Sequence, residues 1–213
     1  MLQEIFEQLN IFDYHTFIKT KGKKLLQDEQ KLKNFLCTGD YSSVESLIRA
    51  HEDSLYGLCR YLEGNSADAD DLYQQTWLKA IQNAQTYKHK SFRNWLYTIC
   101  INTFRDQRRK ANRREKITDD SMDAETKEYA MASATDGVSA ENIVIRNFEK
   151  RRLLDIVNRL PDKHRLPIVL HYFSDLDYND CARVLNVPIG TIKSRLNSAK
   201  KKLHSEMGKS SID

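Results

Sequence analysis

Apolar residues recur at three- and four-residue spacing along most of this chain, a period that suits helices and not strands. The clearest stretch begins near Ser42 and keeps one apolar face for several turns, until Gly64 and Asn65 end it. That face consists of Val44, Leu47, Ile48, His51, Leu55, Leu58, Cys59 and Leu62. Only three prolines occur in 213 residues, so long helices are rarely interrupted. The pattern predicts an all-α protein.

Two more striped helices follow this one. The first of these helices is predicted to start at the acidic stretch Asp68-Ala69-Asp70-Asp71, because the helix dipole favours acidic residues in the first turn. Its buried side is expected to hold Leu72, Thr76, Trp77, Ala80, Ile81 and Ala84. The other begins after Ser91, with an apolar stripe of Phe92, Trp95, Leu96, Ile99, Cys100, Thr103 and Phe104. Its outer face is expected to hold Arg93, Asn94, Tyr97, Asn102, Arg105, Arg108 and Arg109.

That outer face combines arginines with amide and aromatic groups. Arginine suits phosphates, and amide and aromatic groups suit bases, so the face is typical of a helix that contacts nucleic acid. A core helix with a basic tail would look similar, and the pattern alone leaves both interpretations open.

The end of the chain combines a short helix, a turn and a basic helix. Residues 178–185 have a helical pattern that Asp177 can cap, and residues 186–188 break it. Residues 190–203 then carry an inward stripe of Ile192, Leu196, Ala199 and Leu203. This arrangement predicts a helix-turn-helix, although an ordinary surface helix with solvated lysines is the alternative. In the helix before it, Pro167 predicts an irregular first turn.

Charge is unevenly distributed along the chain. Residues 105–116 carry seven Lys or Arg against two acids, and residues 191–204 carry five with no acid. Between them, residues 117–141 carry seven acids against one Lys. Two basic segments on either side of an acidic tract suit two DNA-contacting surfaces joined by a linker that avoids DNA.

Several functional classes find no support in the sequence. The four cysteines are far apart and form no Cys-x-x-Cys pair, and Cys59 and Cys100 lie on apolar stripes, which predicts buried reduced thiols. The residues suggest no catalytic triad, glycine-rich phosphate loop or metal cluster, so we expect no enzyme activity and no cofactor or metal. With no membrane-spanning apolar run and no signal-peptide pattern, the chain is expected to be cytoplasmic.

Two motifs, in this order, resemble regions of bacterial sigma factors. Residues 68–80 (DADDLYQQTWLKA) and 92–102 (FRNWLYTICIN), followed by the arginines of 105–109, look like their promoter-melting domain. Leu160-Pro161-Asp162, Tyr172-Phe173 and residues 187–196 (VPIGTIKSRL) resemble their C-terminal domain. The resemblance covers about residues 34–206. With only these two domains, the chain is similar to the extracytoplasmic-function (ECF) type of the sigma-70 family.

The resemblance implies an all-α fold of two helical domains joined by an acidic flexible linker. The implied divisions are a helical N-terminal extension (1–33), the sigma region 2 domain (34–112), the linker (113–139), the sigma region 4 domain with the helix-turn-helix (140–207) and a tail (208–213). It also implies an alternative sigma factor that binds core RNA polymerase, through the largest-subunit clamp and the flap, and directs promoter recognition, DNA melting and transcription initiation. An anti-sigma factor is a further implied partner.

Site residues follow from the resemblance, position by position. Polymerase docking would involve Asp71, Gln74 and Gln75. At the minus-ten element, Asn102 would hold a flipped base and Arg105, Arg108 and Arg109 would hold phosphates. At the minus-thirty-five element, the contacts would come from Thr191, Lys193, Ser194, Arg195, Asn197, Lys200 and Lys201.

The chain departs from the family pattern in a few places. Lys193 stands where family members often have Arg, and Lys cannot make a bidentate contact to guanine. Residues 1–33 have no counterpart in the short members. Two other functions stay open: a free-standing helix-turn-helix regulator that works without polymerase, and a polymerase-binding scaffold that does not read promoters.

Overall fold

The computed structural model describes residues 28, 30–32, 34–35, 38–88, 91–115 and 151–208. Most of the predicted N-terminal extension, residues 116–150 and the tail after Gly208 lie outside these ranges. The described residues contain helices and no strand, which confirms the predicted fold class. The complete helices are α1 (Tyr41–Glu63), α2 (Ser66–Gln82), α3 (Phe92–Glu115), α4 (Asp162–Ile168), α5 (Tyr178–Leu185) and α6 (Ile189–Gly208). Residues 28–115 belong to a first compact unit and residues 151–208 to a second.

Capping residues determine both ends of helix α1: Asp40 at its start and Gly64 at its end. The Asp40 side chain accepts a hydrogen bond from the Ser42 N–H at 3.0 Å, and the hydroxyls of Ser42 and Ser43 donate to it at 2.8 Å. These bonds, with the Ser42 hydroxyl foremost, lower the pKa of the Asp40 carboxyl. At the other end, Gly64 has a φ of 80° and its N–H donates to the Arg60 carbonyl. Glycine adopts this left-handed conformation without strain, so the helix stops there.

The core of the first unit lies between α1, α2 and α3, because each of these helices packs against the other two. Since α3 contacts two partners, its buried arc is wider than a single apolar stripe. Tyr97 is only 1% exposed and its hydroxyl donates to the Ser54 carbonyl at 3.0 Å. Asn94 is also buried. The expectation that Tyr97 and Asn94 lie on the outer face was therefore wrong.

Two thiols meet inside this core. The sulfur atoms of Cys59 on α1 and Cys100 on α3 lie 3.8 Å apart, and both residues are fully buried. Their mutual hydrogen bond, followed by burial, raises the pKa of Cys59. The thiol form of Cys59 is therefore favoured at neutral pH, which makes it a poor nucleophile. The structure confirms the predicted buried, reduced cysteines at these two positions and also buries Cys181.

A buried polar pair joins the predicted N-terminal extension to the first unit. His51 Nε2 lies 2.9 Å from Asp28 Oδ2, and the two side chains are 6% and 4% exposed. The His51 ring is also 5.0 Å from the ring of Phe92, the first residue of α3. Leu32, in the same N-terminal segment, is buried as well. Asp28 and Leu32 thus belong to the core of the first unit.

In the second unit, a helical segment at residues 151–159 precedes α4. Pro167 lies inside α4, yet the first turn is regular, because the N–H groups of His164 and Arg165 both donate to the Pro161 carbonyl. The irregularity follows the proline instead, as a π-helical turn over Val169–Phe173. The structure therefore places the predicted irregularity later in the helix than the sequence analysis did.

The first helix of the helix-turn-helix has the predicted bounds, and the second continues to Gly208, beyond its predicted end at Leu203. Asp177 caps α5 by accepting from the Asp180 N–H at 2.7 Å, and Asn186 ends the helix with a φ of 53°. Helices α4 and α5 both pack against α6. The inward side of α6 is the predicted stripe of Ile192, Leu196, Ala199 and Leu203. In the described part of the chain, no helix has the length and hydropathy needed to cross a membrane.

Substituting Asp28 tests the buried pair. We expect Asp28→Ala to lower the free energy of unfolding of the first unit by about 1–3 kcal/mol, because His51 Nε2 would stay buried without its partner. Urea unfolding followed by tryptophan fluorescence measures this, since both tryptophans, Trp77 and Trp95, lie in the first unit. Asp53→Ala, an exposed position on α1, is the control and should change stability by less than about 0.5 kcal/mol. Equal midpoints for the two variants would contradict the expectation.

Candidate nucleic-acid interface

Helix α3 presents a polar stripe on the side that α1 and α2 leave uncovered. Asn102, Arg105 and Arg109 recur at three- and four-residue spacing, so they share one side of the helix. Asn102 and Arg109 are exposed and Arg105 is half-buried. We call these three residues the melting stripe. The structure thus brings three of the four predicted minus-ten residues together on an accessible surface.

The fourth predicted residue, Arg108, lies elsewhere. Its guanidinium carbon is 5.3 Å from the centroid of the Phe104 ring, a cation–π distance. Phe104 is fully buried, so this contact draws Arg108 toward the packed side of α3. Arg108 remains exposed, but it borders the groove beside α2 and not the melting stripe.

Helix α2 presents a second polar surface. Asp71 and Gln74 are exposed, Gln75 is half-buried, and the Gln75 amide donates to the two Asp71 carboxylate oxygens at 3.1 and 2.9 Å. Leu78, one turn further along the same side, is 58% exposed. We call Asp71, Gln74 and Gln75 the docking face. The sequence analysis missed Leu78, although a leucine four residues after Gln74 could have drawn attention to it.

A groove of about 550 Å³ separates the start of α2 from the end of α3. One wall is acidic, with Glu63, Asp68 and Asp71, and the other is basic, with Arg108, Lys110 and Arg114. Across it, the Gln107 amide donates to Asp71 Oδ2 at 2.9 Å. The two residues are 36 positions apart, so sequence periodicity could not have paired them.

Helix α6 exposes four of the seven predicted recognition residues fully and three in part. Lys193, Ser194, Asn197 and Lys201 are exposed, whereas Thr191 and Arg195 are half-buried. The Ser194 hydroxyl donates to the Thr191 carbonyl at 3.0 Å. His164 on α4 lies 3.3 Å from the backbone carbonyl of Arg195. We call Lys193, Ser194, Arg195 and Asn197 the recognition face.

Lys200 lies at the edge of this surface. Its ammonium nitrogen is 5.4 Å from the centroid of the Tyr172 ring. The neighbouring Tyr172 side chain is the main cause that raises the pKa of Lys200, so the ammonium form is kept at neutral pH. Tyr172 was part of a sequence motif, but nothing in the sequence indicated this contact.

Two family models match the chain, one in each unit. Sigma-70 region 2 matches residues 47–114, which comprise most of α1 together with α2 and α3. Sigma-70 region 4 matches residues 150–203, which extend into α6. The melting stripe and docking face therefore lie in region 2, and the recognition face lies in region 4.

Individual relatives agree with these matches. The chain is 30% identical over 175 residues to the ECF RNA polymerase sigma factor SigW of Bacillus subtilis. The aligned region covers 79% of this chain and 91% of that protein. It is 31% identical over 182 residues to the ECF RNA polymerase sigma factor SigE of Mycolicibacterium smegmatis, covering 84% and 68% of the two chains.

A solved structure agrees as well. The sigma factor RpoE from Bartonella quintana, in complex with the anti-sigma factor NepR, superposes with a TM-score of 0.64 at 25% identity, covering 78% of this chain and 96% of that one. The chain therefore belongs to the ECF family of RNA polymerase sigma factors, as an alternative sigma factor that directs promoter recognition.

Proposed function

We propose that this sigma factor divides its work among three surfaces: the docking face binds core RNA polymerase, the melting stripe holds the minus-ten element and the recognition face reads the minus-thirty-five element. The observation that carries the proposal is the accessible stripe of Asn102, Arg105 and Arg109 on a helix that packs against α1 and α2 with another side. Its site of action would be the cytoplasm, where polymerase and promoter meet.

The melting stripe suits the capture of a separated DNA strand. Unstacking a base step costs a few kcal/mol, and holding an extruded base offsets part of that cost. The Asn102 amide can both donate to and accept from a base edge, and the guanidinium groups of Arg105 and Arg109 suit backbone phosphates. Arg108, beside Phe104, would contribute positive charge from the flank. Promoter opening by this route makes and breaks no covalent bond.

The recognition face suits the major groove. An α-helix fits that groove, and Lys193, Arg195 and Asn197 offer donors and acceptors to base edges. Lys193 would bind as a point charge, whereas Arg195 can make a forked contact to guanine. Thr191, Lys200 and Lys201 flank this face and would contact phosphates or the groove edge, with Lys200 held beside Tyr172.

The docking face suits a basic or amide-rich partner surface such as the coiled-coil clamp of the largest polymerase subunit. The Asp71 carboxylate accepts hydrogen bonds, and the amides of Gln74 and Gln75 both donate and accept them. Leu78 would add an apolar contact at the end of this face, because burying an exposed leucine at an interface is favourable.

An anti-sigma protein is a further proposed partner. The relative from Bartonella quintana is bound to one. A protein that covered both the docking face and the melting stripe would keep this sigma factor from polymerase and from DNA. Affinity purification from the native host tests this, and recovery of polymerase with no other partner would count against it.

Removing the Asn102 amide tests the melting stripe. We expect Asn102→Ala to reduce run-off transcription with core polymerase about tenfold on duplex promoters, the size expected for one or two lost hydrogen bonds. On a template opened in advance at the minus-ten element the loss should be smaller. Asn112→Ala, which removes an exposed amide further along α3 and outside the melting stripe, is the control. An Asn102→Ala protein as active as wild type would argue against the assignment, and a wild type inactive on every promoter would favour the free-standing regulator.

Lys193→Ala with Arg195→Ala tests the recognition face. We expect the double variant to lose about tenfold or more in binding of the polymerase complex to promoters with an intact upstream element, and little where that element is scrambled. The backbone contact from His164 to Arg195 does not depend on the side chain, so α6 should stay in place. Ser205→Ala, exposed near the end of α6, is the control. Equal losses on both promoter types would indicate general electrostatic binding, and no loss would favour a scaffold.

A further inference from the structure

Gln107 occupies an unusual position between two functional surfaces. It belongs to α3, two residues from Arg105 and from Arg109, yet its side chain points across the groove to α2. Its amide nitrogen donates to Asp71 Oδ2 at 2.9 Å. None of the sequence motifs singled this residue out.

The orientation of the Gln107 amide is determined by its partner. An ionised carboxylate only accepts hydrogen bonds, so the amide must direct its nitrogen toward Asp71 and its oxygen away. That oxygen, Oε1, is buried and has no hydrogen-bond partner among the described residues. A buried acceptor without a partner is unfavourable. The side chain keeps this orientation because it bonds to Asp71.

The Asp71 carboxylate is restrained by two amides. Gln75 donates to both of its oxygens from the same helix, and Gln107 donates to one of them from the neighbouring helix. An exposed carboxylate with no such bonds samples several rotamers and loses that freedom when it binds a partner. Two donors from different directions select one rotamer before any partner arrives.

We propose that Gln107 is a positioning residue for polymerase docking: it holds the Asp71 carboxylate in its binding orientation and ties the docking face to the helix that carries the melting stripe. This inference rests on the proposed function of the docking face. Gln107 itself need not touch polymerase.

A purely structural role for Gln107, as one more contact between α2 and α3, makes different predictions. It would affect unfolding and leave the affinity for polymerase unchanged. It would also act in the same way whether or not residue 71 is an aspartate. Affinity measurements combined with a double-mutant cycle separate the two roles.

The experiment measures the Kd of full-length protein for core RNA polymerase, without DNA, by fluorescence anisotropy. We expect Gln107→Met, which keeps the length and removes the donor, to weaken binding about threefold to tenfold. Gln107→Glu places a second carboxylate against Asp71 and should weaken it more. Gln107→Lys restores a donor and should return the Kd to within about twofold of wild type. In an Asp71→Ala background, Gln107→Met should have no further effect.

Asn112→Ala is the matched control, because Asn112 is exposed, lines the same groove and lies on the same helix. Tryptophan fluorescence during urea unfolding shows whether each variant keeps a folded first unit. A Gln107→Met protein that is folded and binds polymerase as tightly as wild type overturns the inference, as does an equal loss in the Asp71→Ala background. A wild-type protein that does not bind polymerase overturns the proposed function itself, and that outcome is seen before any variant is compared.

Discussion

The packing of α3 against both α1 and α2 is the constraint on which the surface of the first unit depends. Leu96, Ile101 and Phe104 are fully buried and are spread over a wide arc of the helix. Rotating α3 would expose some of them, at a cost of about 1.5–3 kcal/mol for each large apolar side chain. The helix therefore has one favourable orientation, and that orientation leaves Asn102 facing out.

Local rules account for what the sequence predicted well. Helix starts and stops depend on neighbours a few residues away, so Asp177 and Gly64 could be assigned without tertiary information. The inward stripe of α6 follows from its period alone. The resemblance added the order of the two sigma regions, and the family matches confirm it. The exposure of Asp71 and Asn102 agrees with their predicted roles, which stay predictions.

The features that could not be predicted from the sequence depend on contacts between residues that are far apart in the chain. Periodicity shows that a helix has a buried side, but it does not show how many neighbouring helices cover it. For this reason the pattern assigns Tyr97 to the outer face of α3, although a second neighbouring helix buries it. The Asp28–His51 pair and the Gln107–Asp71 bond join residues on different helices. Asp28 and Gln107 alone look like ordinary surface positions, and the place of His51 on an apolar stripe does not reveal its partner. Only the packed helices bring the partners within hydrogen-bond distance.

The opposite charges on the two walls of the groove also give α3 an electrostatic direction. Glu63, Asp68 and Asp71 face the basic end of α3 and offset its positive potential on that side. On the far side, Arg109 is paired with one acid, Asp106, at 3.4 Å, whereas three acids line the groove. A negatively charged strand that diffuses toward this unit would therefore be attracted to the side of α3 that carries Arg105 and Arg109 in preference to the groove side, and would be oriented before any contact forms.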